Sequence, residues 1–285
     1  MKKALSLLTV VILASPGLSA DDFVFHTGIE YSNPQDQHLK LNLAVPKNIK
    51  DKAPAVLCIH GGGFRAGRRE RWDKLCKQLA SRGYVAATVT YRLAPKFKFP
   101  AAIYDVKAAV RWLRANADKY KIDRRRIGVV GDSAGGHLAQ FLGVTGDIRG
   151  FAGKGPHKYR SSKVQCVINY YGPSDFTKSY GKSVDAAEVL PLWFGGDLKT
   201  HLKAHIVASP LNWVTPAAAP TLLLHGSKDP YVAIEQAEWI HERLKKCSVP
   251  VKLLRLEGAG HGFRGKHAEQ AEKAMFAFLK KYLKK

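Results

Sequence analysis

The chain has 285 residues, 46% of them hydrophobic and 24% charged, with a formal net charge of +23. That length and balance suit one α/β domain around a single core, and no internal repeat, low-complexity block or Pro/Gly/Ser-rich linker divides the chain. The excess of Lys and Arg gathers at residues 65–77, 111–126 and 280–285, where it solvates helix faces and attracts polyanions. No nucleic-acid motif accompanies it, so an acidic polysaccharide or an anionic cell surface suits the charge better than nucleic acid does.

Residues 1–20 read as a signal peptide. Lys2 and Lys3 form a basic start, and residues 5–14 form an apolar run too short for a comfortable membrane span. Pro16 and Gly17 break that run, and Ser19-Ala20 offers a small-residue cleavage site. The expectation is a secreted or periplasmic protein whose mature domain covers residues 21–285, with no other stretch able to cross a bilayer. Export permits disulfides, but the four cysteines do not form a framework. Cys58 and Cys166 fall inside apolar strands and read as buried thiols. Spacing alone leaves a Cys76–Cys247 bridge open, and none of the spacings suggests a zinc site.

Residues 23–31 and 38–45 alternate apolar and polar, with Asn33-Pro34-Gln35-Asp36 between them, which predicts an antiparallel hairpin at a sheet edge. Residues 53–59 are continuously apolar, as expected of a strand buried on both faces. Trp72, Leu75, Cys76 and Leu79 fall at helical spacing, and residues 84–89 form the next buried strand. Ile103, Val106, Val110, Leu113 and Ala117 mark an amphipathic helix. Residues 127–130 form a short strand that runs into Gly131-Asp132-Ser133-Ala134-Gly135 and then an apolar helical pattern through Leu142. Residues 164–171 are another strand. Residues 173–219 are irregular, with helical patterns at 184–194 and 202–207, and read as an insertion over the carboxyl edge of the sheet. Strands follow at 221–225 and 251–256, with helices marked by Ile234, Ala237, Ile240 and Leu244, and by Ala268, Ala271, Met275, Phe278 and Leu279. Strands alternating with helices predict an α/β fold, a mostly parallel sheet covered on both faces, with ligands at the carboxyl ends of its strands.

Four loops on that edge carry chemistry. They are His60-Gly61-Gly62-Gly63-Phe64, the turn at Ser133, His225-Gly226-Ser227-Lys228-Asp229 and Gly258-Ala259-Gly260-His261-Gly262-Phe263. Gly131 to Gly135 fits G-x-S-x-G in the strand–turn–helix context that this motif requires. A serine hydroxyl is a poor nucleophile at neutral pH unless a base takes its proton, and His261 is the candidate base. Asp229 is the candidate to hold the imidazole in the right tautomer, with Asp175 as the rival acid. Asp229 alternatively caps the helix after Pro230. Backbone N–H groups of Gly62, Gly63 and Ala134 are placed to bind an oxyanion, each such donor being worth roughly 2.7–4 kcal/mol. His60 and His225 read as loop braces, His137 as packing and Asp132 as a brace beside the nucleophile. Phe64, Tyr171, Trp193 and Trp213 are candidate substrate contacts, because aromatic faces stack on sugar rings, although the same residues also fill cores.

Together, His60-Gly61-Gly62-Gly63, Tyr91-Arg92-Leu93-Ala94-Pro95, Gly131 through Gly136, His225 through Asp229 and Gly260-His261-Gly262 resemble the α/β-hydrolase superfamily. More narrowly, they are similar to hormone-sensitive-lipase-type esterases and to secreted carbohydrate esterases that remove acetyl or feruloyl groups from xylan. The resemblance implies carboxylic-ester hydrolysis without metal or cofactor, with Ser133, Asp229 and His261 as triad and Gly62, Gly63 and Ala134 as oxyanion hole. It implies a structural role for Arg92, paired with a helix carboxylate such as Asp105. Carbohydrate-esterase relatives usually carry tryptophan where this chain has Phe64. Lipase-type relatives carry a long N-terminal helical cap, which the expected mature chain lacks, and an open cleft suits a polymer. The substrate expectation is therefore a small ester or an acylated polysaccharide. A serine peptidase or arylformamidase on the same fold is the alternative, and a non-catalytic binding protein a third. The oligomeric state is open.

Overall fold

A computed structural model of the chain describes residues 22–146 and 148–284. The expected signal segment lies outside the described residues. The alternating segments form the antiparallel hairpin β1 (Phe23–Ser32) and β2 (Leu39–Pro46), which is joined to the sheet through β2. The continuous apolar run becomes β3 (Ala53–Ile59), buried at every position. There follow α1 (Asp73–Ser81), β4 (Val85–Val89), α2 (Ala101–Ala115), β5 (Ile122–Asp132), α3 (Ala134–Thr145) and β6 (Cys166–Tyr170). The irregular segment holds α4 (Ala186–Phe194) and α5 (Leu202–Ala208), after which β7 (Thr221–Gly226), α6 (Glu235–Lys246), β8 (Val251–Leu256) and α7 (Gly265–Leu283) complete the chain.

Among the described residues, eight strands make one sheet in the order β1-β2-β4-β3-β5-β6-β7-β8. β1 and β2 are antiparallel to their neighbours, and all other pairings are parallel. The period-2 alternation of a strand divides the core in two. Leu57, Ile59 and Val129 pack with α2 and α3 on one face, whereas Val56, Cys58 and Val130 pack with α1 and α7 on the other. Helix α3 is buried at every residue, and its polar side chains His137, Gln140 and Thr145 find their partners inside the fold. No helix among the described residues is long and apolar enough to cross a membrane.

The Cys76–Cys247 bridge is absent. All four thiols are free; Cys76 lies in the α1–α7 core with Cys58, whereas Cys247 packs near Val214 on the opposite face. Arg92 and Asp105 form a buried bidentate pair. Arg92 Nη2 donates to Asp105 Oδ1 at 2.8 Å, its Nε donates to Oδ2 at 3.0 Å, and its own backbone N–H donates to Oδ2 at 2.9 Å. The same guanidinium reaches Gln35 Oε1 at 2.8 Å and the Ala101 carbonyl at 3.2 Å, so the turn of the hairpin, the loop after β4 and the start of α2 share one anchor.

Candidate active site

Ser133 stands between β5 and α3 with φ 52° and ψ −122°, a conformation that a non-glycine residue holds only when its surroundings impose it. The turn leaves no room for a side chain at either flanking glycine. A Cβ at Gly131 would come within 2.1 Å of the Gly135 carbonyl oxygen, and one at Gly135 within 2.1 Å of the Ile59 carbonyl oxygen. The Ser133 N–H donates to the Tyr170 carbonyl at 2.9 Å, which fixes the turn against β6. The N–H of Ala134 opens α3 and so has no acceptor within the helix. It lines one cavity together with Gly62, Gly63 and Ser133.

The glycine-rich loop is braced from three sides. Asp132 Oδ1 accepts from the Gly61 N–H at 2.8 Å and from Trp72 Nε1 at 3.2 Å, and its Oδ2 pairs with Arg71 at 3.1 Å. The residue before the serine therefore ties the turn at Ser133 to the loop after β3. The His60 ring stacks on Tyr91 at 4.4 Å with its Nδ1 2.8 Å from the Gly61 carbonyl, and Tyr91 Oη donates to the His60 carbonyl at 2.8 Å. Burial pushes the His60 imidazole below its usual range, so it braces as a neutral ring.

Asp229 serves its own turn and the histidine together. Its Oδ1 accepts from the N–H groups of Tyr231 and Val232, both at 2.9 Å, while Oδ2 faces His261 Nδ1 at 2.7 Å. The carboxylate caps a turn and not the following helix, which begins at Glu235. His225 lies 3.6 Å from the same Oδ2 but donates its Nε2–H to the Val232 carbonyl at 2.7 Å, and burial lowers its pKa, which keeps it neutral. The rival acid is spoken for: Asp175 Oδ1 accepts from both the N–H and the hydroxyl of Thr177, and its Oδ2 pairs with Lys178. Ser133 and His261 line the same cavity of about 410 Å3. No hydrogen bond joins the Ser133 hydroxyl to the ring in this arrangement, and such bonds commonly tighten only when substrate is present. Among the described residues no cluster of three or more His, Cys, Asp or Glu is arranged to hold a metal ion.

The four aromatic candidates divide. Phe64 and Tyr171 line the cavity, and the Tyr171 ring lies 4.5 Å from that of His261. Trp193 does not line it. Its side chain is fully buried beneath the wall, stacked on Phe64 at 3.7 Å and surrounded by His137, Phe176 and Phe99. Trp213 is also away from the cavity, donating to the Val207 carbonyl at 2.8 Å and packing on Phe151. Both contact expectations are corrected, because an indole meets the packing demand of a core as well as the stacking demand of a ligand. His137 is packing, as expected: it is fully buried, donates Nε2–H to the Ala208 carbonyl at 2.8 Å, and is depressed by burial to about 3.

Of the irregular segment, the cavity-lining residues fall between Pro173 and Leu190, whereas the turn Pro210–Trp213 packs on α3 and α6, and α5 packs on that turn and on the turn Phe176–Lys178. Sequence reasoning missed the apolar wall of Phe176, Val189 and Leu190 and the half-exposed Tyr231, whose ring lies 5.3 Å from that of His261. It also missed Gln236, whose buried amide accepts from the N–H groups of Ser174 and Asp175 and fixes the start of that wall against α6. The helical spacing around residue 189 signalled the wall; nothing local signalled Gln236.

Residues 41–244 match the family model described as BD-FAE. The chain belongs to the BD-FAE family. The BD-FAE match contains Ser133 and Asp229 and stops before His261. The esterase LipC of Mycobacterium tuberculosis is 36% identical over 217 residues, which are 74% of this chain and 53% of LipC. The probable carboxylic ester hydrolase LipM of the same organism is 29% identical over 234 residues, 79% of this chain and 53% of LipM. The chain thus spans about half the length of these curated relatives. A truncated carbohydrate esterase from gut microbiota superposes with a TM-score of 0.84 at 26% identity, covering 94% of this chain and 99% of that one. The esterase Est2 of Thermogutta terrifontis superposes at 0.76 and 26% identity, covering 93% and 94%. Structures of Est2 include butyrate-bound and propionate-bound forms and one phosphorylated by paraoxon. The fold is that of the α/β hydrolases.

Proposed function

We propose that the protein is a serine carboxylic-ester hydrolase that removes short acyl groups, those of polysaccharides included, through an acyl-enzyme. The observation that carries this reading is the 2.7 Å Asp229–His261 hydrogen bond, opening onto the cavity that Ser133 also lines. Ser133 Oγ attacks the ester carbonyl carbon as its proton passes to His261 Nε2. Asp229 keeps the Nδ1 proton in place and stabilises the imidazolium. The carbonyl oxygen becomes an oxyanion, which accepts hydrogen bonds from the N–H groups of Gly62, Gly63 and Ala134. The tetrahedral intermediate collapses, the bond from carbon to alcohol oxygen breaks, and the alcohol leaves with the proton from His261. Water then attacks the acyl-Ser133 ester by the same route in reverse and frees the acid. Phe64, Phe176, Val189 and Leu190 give the cavity an apolar side suited to a short acyl chain. The esterase and carbohydrate-esterase relatives support this substrate class.

The decisive experiment is hydrolysis of p-nitrophenyl acetate by wild type and by Ser133→Ala. A comparable triad loses about a millionfold in kcat on that change. Equal rates in the two proteins would refute the assignment, as would a wild type unlabelled by a fluorophosphonate. Export belongs to the same reading, supported by the basic start, apolar run and small-residue site of residues 1–20. It predicts a mature N-terminus at Asp21 by mass spectrometry of the protein recovered outside the cytoplasm.

A further inference from the structure

A second groove, of about 300 Å3, adjoins the cavity along Arg71 and Tyr171, which line both. It lies between α1 and the first half of α7. Trp72, Tyr170 and Phe263 supply aromatic rings to its lining, and Lys74, Gln78 and Glu272 supply polar side chains. The rings are held in place. Trp72 donates to Asp132, Tyr170 donates its hydroxyl to Met275 Sδ at 3.5 Å, and Phe263 packs edge-on against Tyr171 at 5.0 Å. Gln78 Nε2 lies 3.5 Å from Glu272 Oε1, a contact long enough for a ligand hydroxyl to improve on.

The position of the groove says which half of an ester it serves. The imidazole gives its proton to the departing oxygen, so the alcohol leaves on the His261 side. Tyr171, in contact with that ring, forms the boundary with the groove, and Phe263 follows His261 by two residues. The apolar residues Phe176, Val189 and Leu190 line the cavity and not the groove. The chemistry says what the alcohol is. A sugar ring packs its C–H faces on aromatic side chains while its hydroxyls accept from Lys74 and donate to Glu272. A lipid tail would bury those charged heads against hydrocarbon at a cost.

We propose that this groove holds a glycosyl unit of an acylated polysaccharide, adjacent to the unit that bears the ester; the proposal rests on the esterase reading above. The test compares kcat/KM for p-nitrophenyl acetate with kcat/KM for acetylated xylose, xylobiose and xylotriose, in wild type, Ala268→Trp and Lys74→Ala. Ala268 lines the groove, and an indole there fills it; Lys74 is exposed, so its truncation does not threaten folding. In wild type, kcat/KM rises at least about tenfold from acetylated xylose to the longer substrates, through KM. Ala268→Trp cuts the ratio of oligosaccharide to p-nitrophenyl acetate efficiency at least about tenfold, and Lys74→Ala cuts it about threefold or more. Efficiency that does not rise with chain length, or variants that lower both substrates alike, would overturn the groove assignment and leave ester hydrolysis standing. A wild type inert toward p-nitrophenyl acetate would overturn the esterase reading, and this one with it.

Discussion

At the scale of single residues, Asp229 shows how one carboxylate fixes both a turn and a tautomer. Its Oδ1 is committed to two backbone N–H groups, so only Oδ2 is offered to His261. In Asp229→Asn the amide oxygen must take the backbone side, which leaves the NH2 facing Nδ1. The ring then carries its proton on Nε2 and cannot accept one from Ser133. The expected loss is about ten-thousandfold in kcat with an unchanged melting temperature, and a fall of less than tenfold would refute the assignment. A second prediction at this scale concerns His137, which titrates at about 3 in the fold against its usual 6.5 because burial disfavours the charged ring. The unfolded chain therefore takes up the proton first as acid is added. The contribution of this residue to stability is complete above about pH 6.5 and is lost as pH falls toward 3. Burial lowers His60 and His225 as well, so they act in the same direction. Melting temperature should decline from pH 7 to pH 4, with a shallower slope in His137→Phe whatever that variant's starting stability; parallel slopes would refute the argument.

At the scale of elements, the Arg92–Asp105 pair joins the hairpin turn, the loop after β4 and α2 in one buried contact. Removing one partner leaves a buried charge uncompensated, so Asp105→Ala should lower unfolding free energy by about 3–5 kcal/mol in urea titrations. A loss below about 1 kcal/mol would mean that the guanidinium finds water. This pair was expected from the motif around Tyr91. The strands β3 and β8 were legible end to end, since a strand buried on both faces is a continuous apolar run and β8 keeps a strong branched-chain content. The start of β5 was not. It extends back through Asp123-Arg124-Arg125-Arg126, whose charges hide a strand because Arg126 folds onto Asp123 at 2.8 Å. The crossover that sets β4 between β2 and β3 is a long-range fact with no local signal. The loops that carry Ser133, Asp229 and His261 were legible because each follows a strand and contains glycine. The cavity wall was only partly so, because a core aromatic such as Trp193 and a lining aromatic such as Tyr171 answer to the same pattern.

At the scale of the whole molecule, the net charge of +23 is a field as much as a composition. Arg65, Arg71 and Lys182 bring it to the rim of the cavity, although each also pairs with an acid, Glu188, Asp132 and Glu235 respectively. For an ester carrying a carboxylate, kcat/KM should fall as salt rises from about 10 mM to 150 mM, because the Debye length shortens from about 30 Å to about 8 Å; a neutral ester of the same acyl group should not respond. Equal salt responses would assign the charge to solubility alone. Helix α3 adds a constraint of another kind. With every one of its side chains enclosed, the helix that follows Ser133 offers an engineer no free position, whereas residues 176–190 form a cavity wall with exposed positions at Lys178, Lys182, Val184, Ala187 and Glu188. A library aimed at new acyl preferences should therefore draw its surviving variants from the wall, and diversification along the enclosed helix should yield mostly insoluble protein.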